Sequence, residues 1–179
     1  MIINIVTPCS RPENLLSIAE SINIPRGNYR WIVVFDSTEI PTIQLPDNAE
    51  YYIHKNENSV VGHSQRNFAN LLIDEGYVLM LDDDTVMHPE FWQEVKDYNH
   101  DIISWKQANK DGSHRLNAGM FTVNNIDSGS FMVKREVIGD LQWQIDAYDS
   151  DGRFAEEVNK KTNSKVSIDK YISYYNYLR

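Results

Sequence analysis

The chain has 179 residues, 41% apolar and 11% aromatic, a composition that predicts one globular domain with a single core and excludes a disordered chain. Its formal net charge of −9 excludes duplex nucleic acid as an expected partner, because no basic stripe offsets the repulsion from phosphates. A single cysteine, Cys9, rules out an internal disulfide and is typical of a reducing compartment. With no transmembrane-length apolar run and no charged leader, we expect a cytoplasmic protein.

The first half of the chain alternates predicted strands and helices. An amphipathic helix is predicted to begin at residues 10–13, which carry a serine cap, a proline in the first turn and a glutamate three residues after the cap. A second helix is predicted over residues 62–75, where Gly76 is suited to a left-handed cap. Short apolar runs predict strands over residues 2–6, 31–35, 51–54 and 77–81.

The second half is less regular. Pro89 begins a short helix, and a longer one is predicted over residues 151–161. Strands are predicted over residues 101–105, 120–123, 129–133 and 165–168, and the aromatic tail 171–177 is expected to pack on the sheet. Strand–helix alternation followed by mixed strands predicts one α/β domain over residues 1–179, with a mainly parallel central sheet.

Three consecutive carboxylates, Asp82, Asp83 and Asp84, directly follow the strand at 77–81. Ligands of such sheets bind at the carboxyl ends of the strands, where Thr7 and Asp36 also end strands. Adjacent carboxylates repel one another unless a cation or solvent compensates them, and hard oxygen ligands suit Mg²⁺ or Mn²⁺. The pattern therefore favours a metal site for a phosphate-bearing ligand over a merely solvated acidic turn.

One face of the helix over residues 62–75 is polar. His63 and Arg66 share this face with two asparagines, at the spacing of successive helical turns. Because this helix leads directly into the strand before the carboxylates, Arg66 is predicted to pair with a diphosphate or with one of the aspartates. His63 is a candidate for hydrogen bonding to the nucleotide or sugar. A solvated helix face is the alternative for both.

Four segments in order resemble the GT-A fold glycosyltransferases, a metal-assisted class that uses nucleotide-sugar donors. Residues 5–12 resemble the strand and loop that hold the nucleoside, and residues 62–67 the helix before the metal motif. Residues 78–84 resemble the Asp-x-Asp motif with its strand. Residues 150–154 weakly resemble the segment that supplies the catalytic general base. The resemblance covers about residues 1 to 170 and implies a Rossmann-like, three-layer α/β/α domain.

The resemblance also implies roles for individual residues. Asp84 would contact the metal directly, Asp82 would contact the metal shell or the donor, and Asp83 would lie beside them. Asp36 would bind uracil or ribose, although a turn residue is the alternative. The wall of the base and ribose pocket would be formed by Thr7, Pro8 and Arg11.

A carboxylate near residue 150 is the expected general base. Transfer with inversion needs a group that accepts the proton of the acceptor hydroxyl. The motif favours Asp151, and Asp149 is the alternative because Ser150 replaces the glutamate that many members carry. The segment containing Ser128 and Gly129 resembles the one beside the donor sugar and acceptor.

The resulting hypothesis is a glycosyltransferase that uses Mn²⁺ or Mg²⁺. It would move a sugar from a nucleoside-diphosphate donor, UDP in the first instance, to a glycan or other hydroxyl acceptor. A nucleotidyltransferase is a competitor, but residues 7–12 contain no glycine-rich loop. A non-catalytic nucleotide- or glycan-binding domain is the second competing hypothesis. The sequence does not specify the donor sugar, the acceptor or the oligomeric state.

Overall fold

The computed structural model describes residues 1–55 and 59–179, which form eight strands and five α-helices. The strands are β1 (Ile3–Cys9), β2 (Tyr29–Phe35), β3 (Glu50–Ile53), β4 (Tyr77–Met80), β5 (Ile102–Asn109), β6 (His114–Leu116), β7 (Phe131–Lys134) and β8 (Lys165–Tyr175). The helices are α1 (Leu15–Ser21), α2 (His63–Asn70), α3 (Phe91–Val95), α4 (Arg135–Ile138) and α5 (Ser150–Lys161). Three short 3₁₀ turns lie at Pro12–Asn14, Arg26–Asn28 and Ser128–Ser130.

All eight strands belong to one sheet, in the order β3-β2-β1-β4-β7-β5-β6, with β8 paired to β5. Strand β1 runs parallel to β2 and β4, β3 runs parallel to β2, and β8 runs parallel to β5. Strand β7 is antiparallel to both β4 and β5, and β6 is antiparallel to β5. The prediction of a mainly parallel sheet is confirmed. Its central strands are nearly continuous apolar runs because helices cover both faces.

Alternating side chains of the central strands supply two separate cores. On one face, Ile5 and Val33 pack in a cluster that includes Leu15 of α1 and Phe91 of α3. On the other face, residues such as Val34 and Met80 join a cluster with Ala69 of α2 and Val158 of α5. Successive residues of a strand point to opposite faces, so each strand serves both cores. The predicted three-layer arrangement is therefore confirmed.

The second half departs from its predicted elements in several places. The strand expected at residues 120–123 is wrong: this segment is a loop that leads into a turn in which Asn125 N donates to Thr122 O and Asn124 is left-handed (φ 69°). The strand expected from residue 129 begins at Phe131, because Ser128–Ser130 forms a 3₁₀ turn.

Other differences concern the length of elements. Helix α2 ends at Asn70 rather than at residue 75, and the aromatic tail continues β8 as far as Tyr175. Strand β6, which was not predicted, forms a hairpin with β5 around Asp111 and Gly112. Over residues 1–55 and 59–179, no helix combines the length and apolar character needed to cross a membrane.

Candidate functional site

The carboxyl ends of β1, β2 and β4 open into a cleft of about 460 Å³. Most of the residues predicted for the site line it, although they come from distant parts of the chain. The predicted residues in its lining are Pro8, Arg11, Asp36, Arg66, Asp82, Asp83, Asp84, Asp149 and Asp151. The parallel strands therefore gather these side chains at one edge of the sheet, as the strand ends predicted.

Asp83 holds the loop that follows β1. Its carboxylate accepts hydrogen bonds from the backbone N–H groups of Ser10 (2.6 Å) and Arg11 (2.8 Å), and from Nη1 of Arg11 at 2.6 Å. Asn14 donates to the backbone carbonyl of Asp83 at 2.8 Å. The side chain is almost completely buried, and its hydrogen bonds to charged and backbone donors offset that burial. Asp83 thus acts as an anchor beside the cleft.

Arg66 connects the acidic strand end with the start of α5. Its Nη2 lies 2.8 Å from Oδ1 of Asp82, and its Nη1 lies 3.5 Å from Oδ1 of Asp151. The guanidinium also stacks on Trp143, with 5.1 Å between its Cζ and the ring centroid. Only 4% of the Arg66 side chain is exposed. Burial opposes its charge, but the two carboxylates raise the pKa of Arg66 above its ordinary value, so the network is charged.

Asp151 lies at the junction of three elements. Besides Arg66, its carboxylate accepts a hydrogen bond from Ser128 N at 3.4 Å and lies 3.6 Å from Nε2 of His63. Burial by itself raises the pKa of Asp151, but the Arg66 charge and the His63 imidazole outweigh it and bring the pKa below its ordinary value. Asp151 is therefore an ionised carboxylate that faces the cleft.

Asp149 lines the same cleft but is engaged elsewhere. Its Oδ1 accepts a hydrogen bond from Nε of Arg153 at 2.8 Å, one helical turn along α5. This hydrogen bond lowers the pKa of Asp149. An exposed pair of this kind stabilises a helix only slightly. Of the two predicted base candidates, Asp151 is the one joined to the Asp82–Arg66 network.

Asp84 is nearly buried, with 8% of its side chain exposed. Its Oδ2 lies 2.8 Å from Nε of Arg179 and 3.5 Å from Nη1 of Arg11. Burial and the neighbouring charges of Asp82 and Asp83 nevertheless raise the pKa of Asp84. The local surplus of negative charge is the condition that a bound cation would relieve.

Asp82 and Asp84 supply carboxylate oxygens that could hold a divalent cation. In the described part of the chain, Asp82 is paired through Oδ1 and Asp84 through Oδ2, which leaves one oxygen of each for another ligand. No cluster of three or more His, Cys, Asp or Glu side chains in residues 1–55 and 59–179 forms a complete metal cage. Mg²⁺-type sites commonly combine one or two carboxylates with substrate phosphates and water. The donor set matches that pattern.

Four of the predicted residues lie behind the cleft rather than in its wall. Thr7 is fully buried, and its hydroxyl is satisfied there because it donates to Leu81 O at 2.7 Å and accepts from Nε1 of Trp31. His63 is also fully buried and stacks on Trp143. The other two, Ser128 and Gly129, belong to the 3₁₀ turn that supports Asp151.

The sequence reasoning missed several residues of the cleft. Arg115 on β6 lies 3.3 Å from Oδ2 of Asp127 and stacks 3.6 Å from the ring centroid of Tyr175. Asp127 was not missed, because it begins the segment that resembles the one beside the donor sugar and acceptor. It caps the Ser128–Ser130 turn, and burial together with the charge of Asp151 raises its pKa. Tyr148 and Arg179 also line the cleft. The Asp-Gly pair at residues 111–112 is typical of a hairpin turn and is the local sequence signal for the hairpin that delivers Arg115.

The lining of the cleft carries an excess of negative charge. It contains seven aspartates and four arginines, a difference of three negative charges. A polyphosphate entering alone would meet net repulsion, whereas one accompanied by a divalent cation would not. The charge balance thus favours a ligand that arrives with a metal ion.

Comparison with solved structures identifies chains of similar fold. No protein-family model matches the sequence, and no curated protein matches it. Among solved structures, TarS 1–349 of S. aureus in complex with UDP-GlcNAc is similar with a TM-score of 0.75 and 17% identity, over 98% of this chain and 58% of that one. The mannosyltransferase PcManGT of Pyrobaculum calidifontis, in complex with GDP-Man and Mn²⁺, has a TM-score of 0.70 and 12% identity, over 97% and 56%.

This chain spans about three-fifths of the length of these solved chains, including 60% of a further TarS 1–349 structure (TM-score 0.74, 17% identity, 97% of this chain). At such low identity the likeness concerns the fold. The chain has the GT-A-like fold of these glycosyltransferases, with its acidic cleft at the carboxyl ends of the parallel strands.

Proposed function

We propose that this protein transfers a sugar from a nucleoside-diphosphate donor to an acceptor hydroxyl. The observation that carries the proposal is the continuous network Asp82–Arg66–Asp151, with spacings of 2.8 and 3.5 Å. It joins the acidic strand end, where a diphosphate and its cation would lie, to an ionised carboxylate that could accept a proton. A site for glycosyl transfer needs both functions in one cleft.

The nucleoside would lie at the ends of β1 and β2. Pro8, Arg11 and Asp36 line this part of the cleft, and Asp83 holds the backbone of the loop that carries Arg11. Asp36 would accept hydrogen bonds from the base or ribose. We propose UDP as the nucleotide, on the strength of the sequence resemblance and of the similar fold of TarS, which has been solved with UDP and with UDP-GlcNAc.

Asp84 and Asp82 would hold Mn²⁺ or Mg²⁺. Such an ion supplies positive charge that stabilises the diphosphate leaving group. The support comes from the oxygen-only donor set, the raised pKa of Asp84 and the net negative cleft. The similarly folded mannosyltransferase was solved with Mn²⁺.

Asp151 would act as the general base. The acceptor oxygen forms a bond to the anomeric carbon while the bond from that carbon to the diphosphate oxygen breaks. The hydroxyl proton passes to the carboxylate of Asp151, and the electron pair of the broken bond leaves with the nucleoside diphosphate. Direct displacement of this kind inverts the anomeric centre. General-base assistance typically contributes about 10²–10⁴-fold to the rate.

Arg66 would position this base and stabilise negative charge beside it. Its two terminal nitrogens contact Asp82 and Asp151, so that one guanidinium would hold both carboxylates in position. His63 and Ser128 N would orient the Asp151 carboxylate from behind the cleft. Charged groups held in place by such contacts would stabilise developing charge in the way that preorganised sites do.

Thermal unfolding with ligands tests the proposal. UDP, GDP, dTDP and CDP would each be added with Mn²⁺ and then with EDTA. A ligand at about 100 times its dissociation constant adds roughly 2.7 kcal/mol, or a few degrees at this size. A rise in Tm for one nucleotide, abolished by EDTA, supports the donor site, and release of the free sugar distinguishes an enzyme from a binding domain. No shift with any nucleotide contradicts the proposal.

A further inference from the structure

Arg179 lies on the carboxylate that the proposed function assigns to the cation. Its Nε is 2.8 Å from Oδ2 of Asp84, and its side chain lines the cleft with 55% of its surface exposed. We propose that Arg179 is a diphosphate-binding residue, which serves as the counter-ion of Asp84 until donor and metal bind. This inference rests on the proposed function and extends it to a residue that no motif in the sequence identified.

The position of Arg179 is determined by backbone contacts as well as by its charge. Leu178 N donates to the backbone carbonyl of Asp84 at 2.7 Å, and Nζ of Lys110 donates to the carbonyl of Arg179 at 3.2 Å. Lys110 also lies over the ring of Tyr177, 5.7 Å from its centroid. The segment after β8 is thereby tied to both the acidic strand end and the β5–β6 hairpin. These backbone contacts place the guanidinium of Arg179 at the cleft.

Each aspartate of the triplet is paired with a different arginine. Asp82 pairs with Arg66, Asp83 with Arg11 and Asp84 with Arg179. The exposed fractions of the three arginine side chains are 4%, 36% and 55%, respectively. Arg66 and Arg11 are also held by further contacts, to Asp151 and within the loop after β1. Arg179 is thus the most exposed of the three arginines and the one that can leave its partner most easily, while the nearly buried Asp84 would need a cation in its place.

Opening this pair would place a free guanidinium beside the phosphates. A cation held by Asp84 would compete with Arg179 for the negative charge of a single carboxylate. A diphosphate in the same cleft would offer oxygens to the planar guanidinium, which binds phosphate oxygens in pairs. Arg179 would therefore exchange Asp84 for the diphosphate, and it would oppose binding of the metal alone while favouring binding of the nucleotide with the metal.

These two opposite effects supply the test. Binding of Mn²⁺ alone would be measured by electron paramagnetic resonance, and binding of UDP in saturating Mn²⁺ by calorimetry. In Arg179→Ala we expect Mn²⁺ alone to bind severalfold more tightly and UDP with Mn²⁺ to bind about tenfold more weakly, the loss of one strong charge-assisted contact. Arg179→Lys should lie between the wild type and Arg179→Ala. The control is Arg26→Ala, whose exposed pair with Asp47 is remote from the lining.

The outcomes separate the inference from the proposed function. If the wild type binds neither Mn²⁺ nor UDP, the proposed function itself is wrong. If the wild type binds both, and Arg179→Ala leaves both affinities unchanged or weakens both, Arg179 is not the exchanging counter-ion. Arg179→Gln, which keeps most of the side-chain volume, gives the same pair of measurements should the alanine variant fail to fold. Tighter binding of Mn²⁺ alone together with weaker binding of UDP in either variant supports the inference.

Discussion

Arg11 and Asp83 are joined through both the backbone and the side chain of the arginine, at 2.8 and 2.6 Å, although they are 72 positions apart in the chain. The middle aspartate of the triplet thus anchors the loop after β1 against the strand end of β4. Two neighbouring aspartates, on either side of it, face the proposed donor site. One short acidic sequence therefore has both a structural and a ligand-binding part.

Replacing this anchor should loosen the loop. In Asp83→Asn one carboxylate charge and its bonds to Ser10 and Arg11 are lost or weakened, so we expect the free energy of unfolding to fall by about 1–3 kcal/mol. Urea denaturation at pH 7 measures this change. Asp47→Asn, whose side chain is 96% exposed, should stay within about 0.5 kcal/mol of the wild type. Equal stabilities for the two variants would refute the anchor.

Gly152 should tolerate no side chain. A Cβ at this position would lie 2.5 Å from Cα of Val123, a backbone atom of the neighbouring loop, so helix and loop must separate. We expect Gly152→Ala to lower the free energy of unfolding by about 1–3 kcal/mol and to reduce transfer, because Asp151 directly precedes it. Chemical denaturation measures the first effect. The matched control is Gly27→Ala, in which the added Cβ meets no atom within 4 Å. Wild-type stability in both variants would contradict the predicted clash with Val123.

Asp151→Asn should separate catalysis from donor binding. Without a carboxylate to accept the hydroxyl proton, the rate of transfer should fall by about 10²–10⁴-fold. The affinity for the nucleotide should change little, because the proposed contacts to nucleoside and metal come from the ends of β1, β2 and β4. Initial rates with a competent acceptor and calorimetric titration of UDP measure the two quantities. Asp149→Asn is the comparison, and a larger rate loss in that variant would make Asp149 the base.

The stability contribution of Asp151 should depend on pH in a defined direction. Its pKa is lowered in the folded protein, so its ionised form contributes stability above the unfolded pKa of about 3.9. That contribution is lost as the pH falls through the lower, folded value. Asp151→Asn should therefore be less stable than the wild type at pH 7 and pH 5.5, and the difference should narrow only below about pH 4. Urea denaturation across this range measures it, and a difference that vanishes near pH 6 would contradict the sign.

Local sequence patterns were sufficient to predict the strands that are buried on both faces. The predicted strands at 31–35 and 77–81 match β2 and β4 to within two residues at each end, because strands covered on both faces are continuous apolar runs. The apolar run at 120–123 has a similar composition but is a loop, in which Phe121 is buried and packs on Phe131 while Met120 is 47% exposed. A short apolar run does not distinguish a loop with one buried side chain from a strand, because both can carry a few apolar residues.

The sequence by itself determined the order of the central strands and helices along the chain and the presence of carboxylates where β4 ends, because both follow from residues adjacent in sequence. Only the tertiary structure decided that Asp83 holds a loop, that Asp151 shares Arg66 with Asp82, and that Arg179 reaches Asp84. Each of these relations joins segments far apart in the chain. Their geometry depends on how the sheet brings strand ends together and on which charges burial forces into pairs.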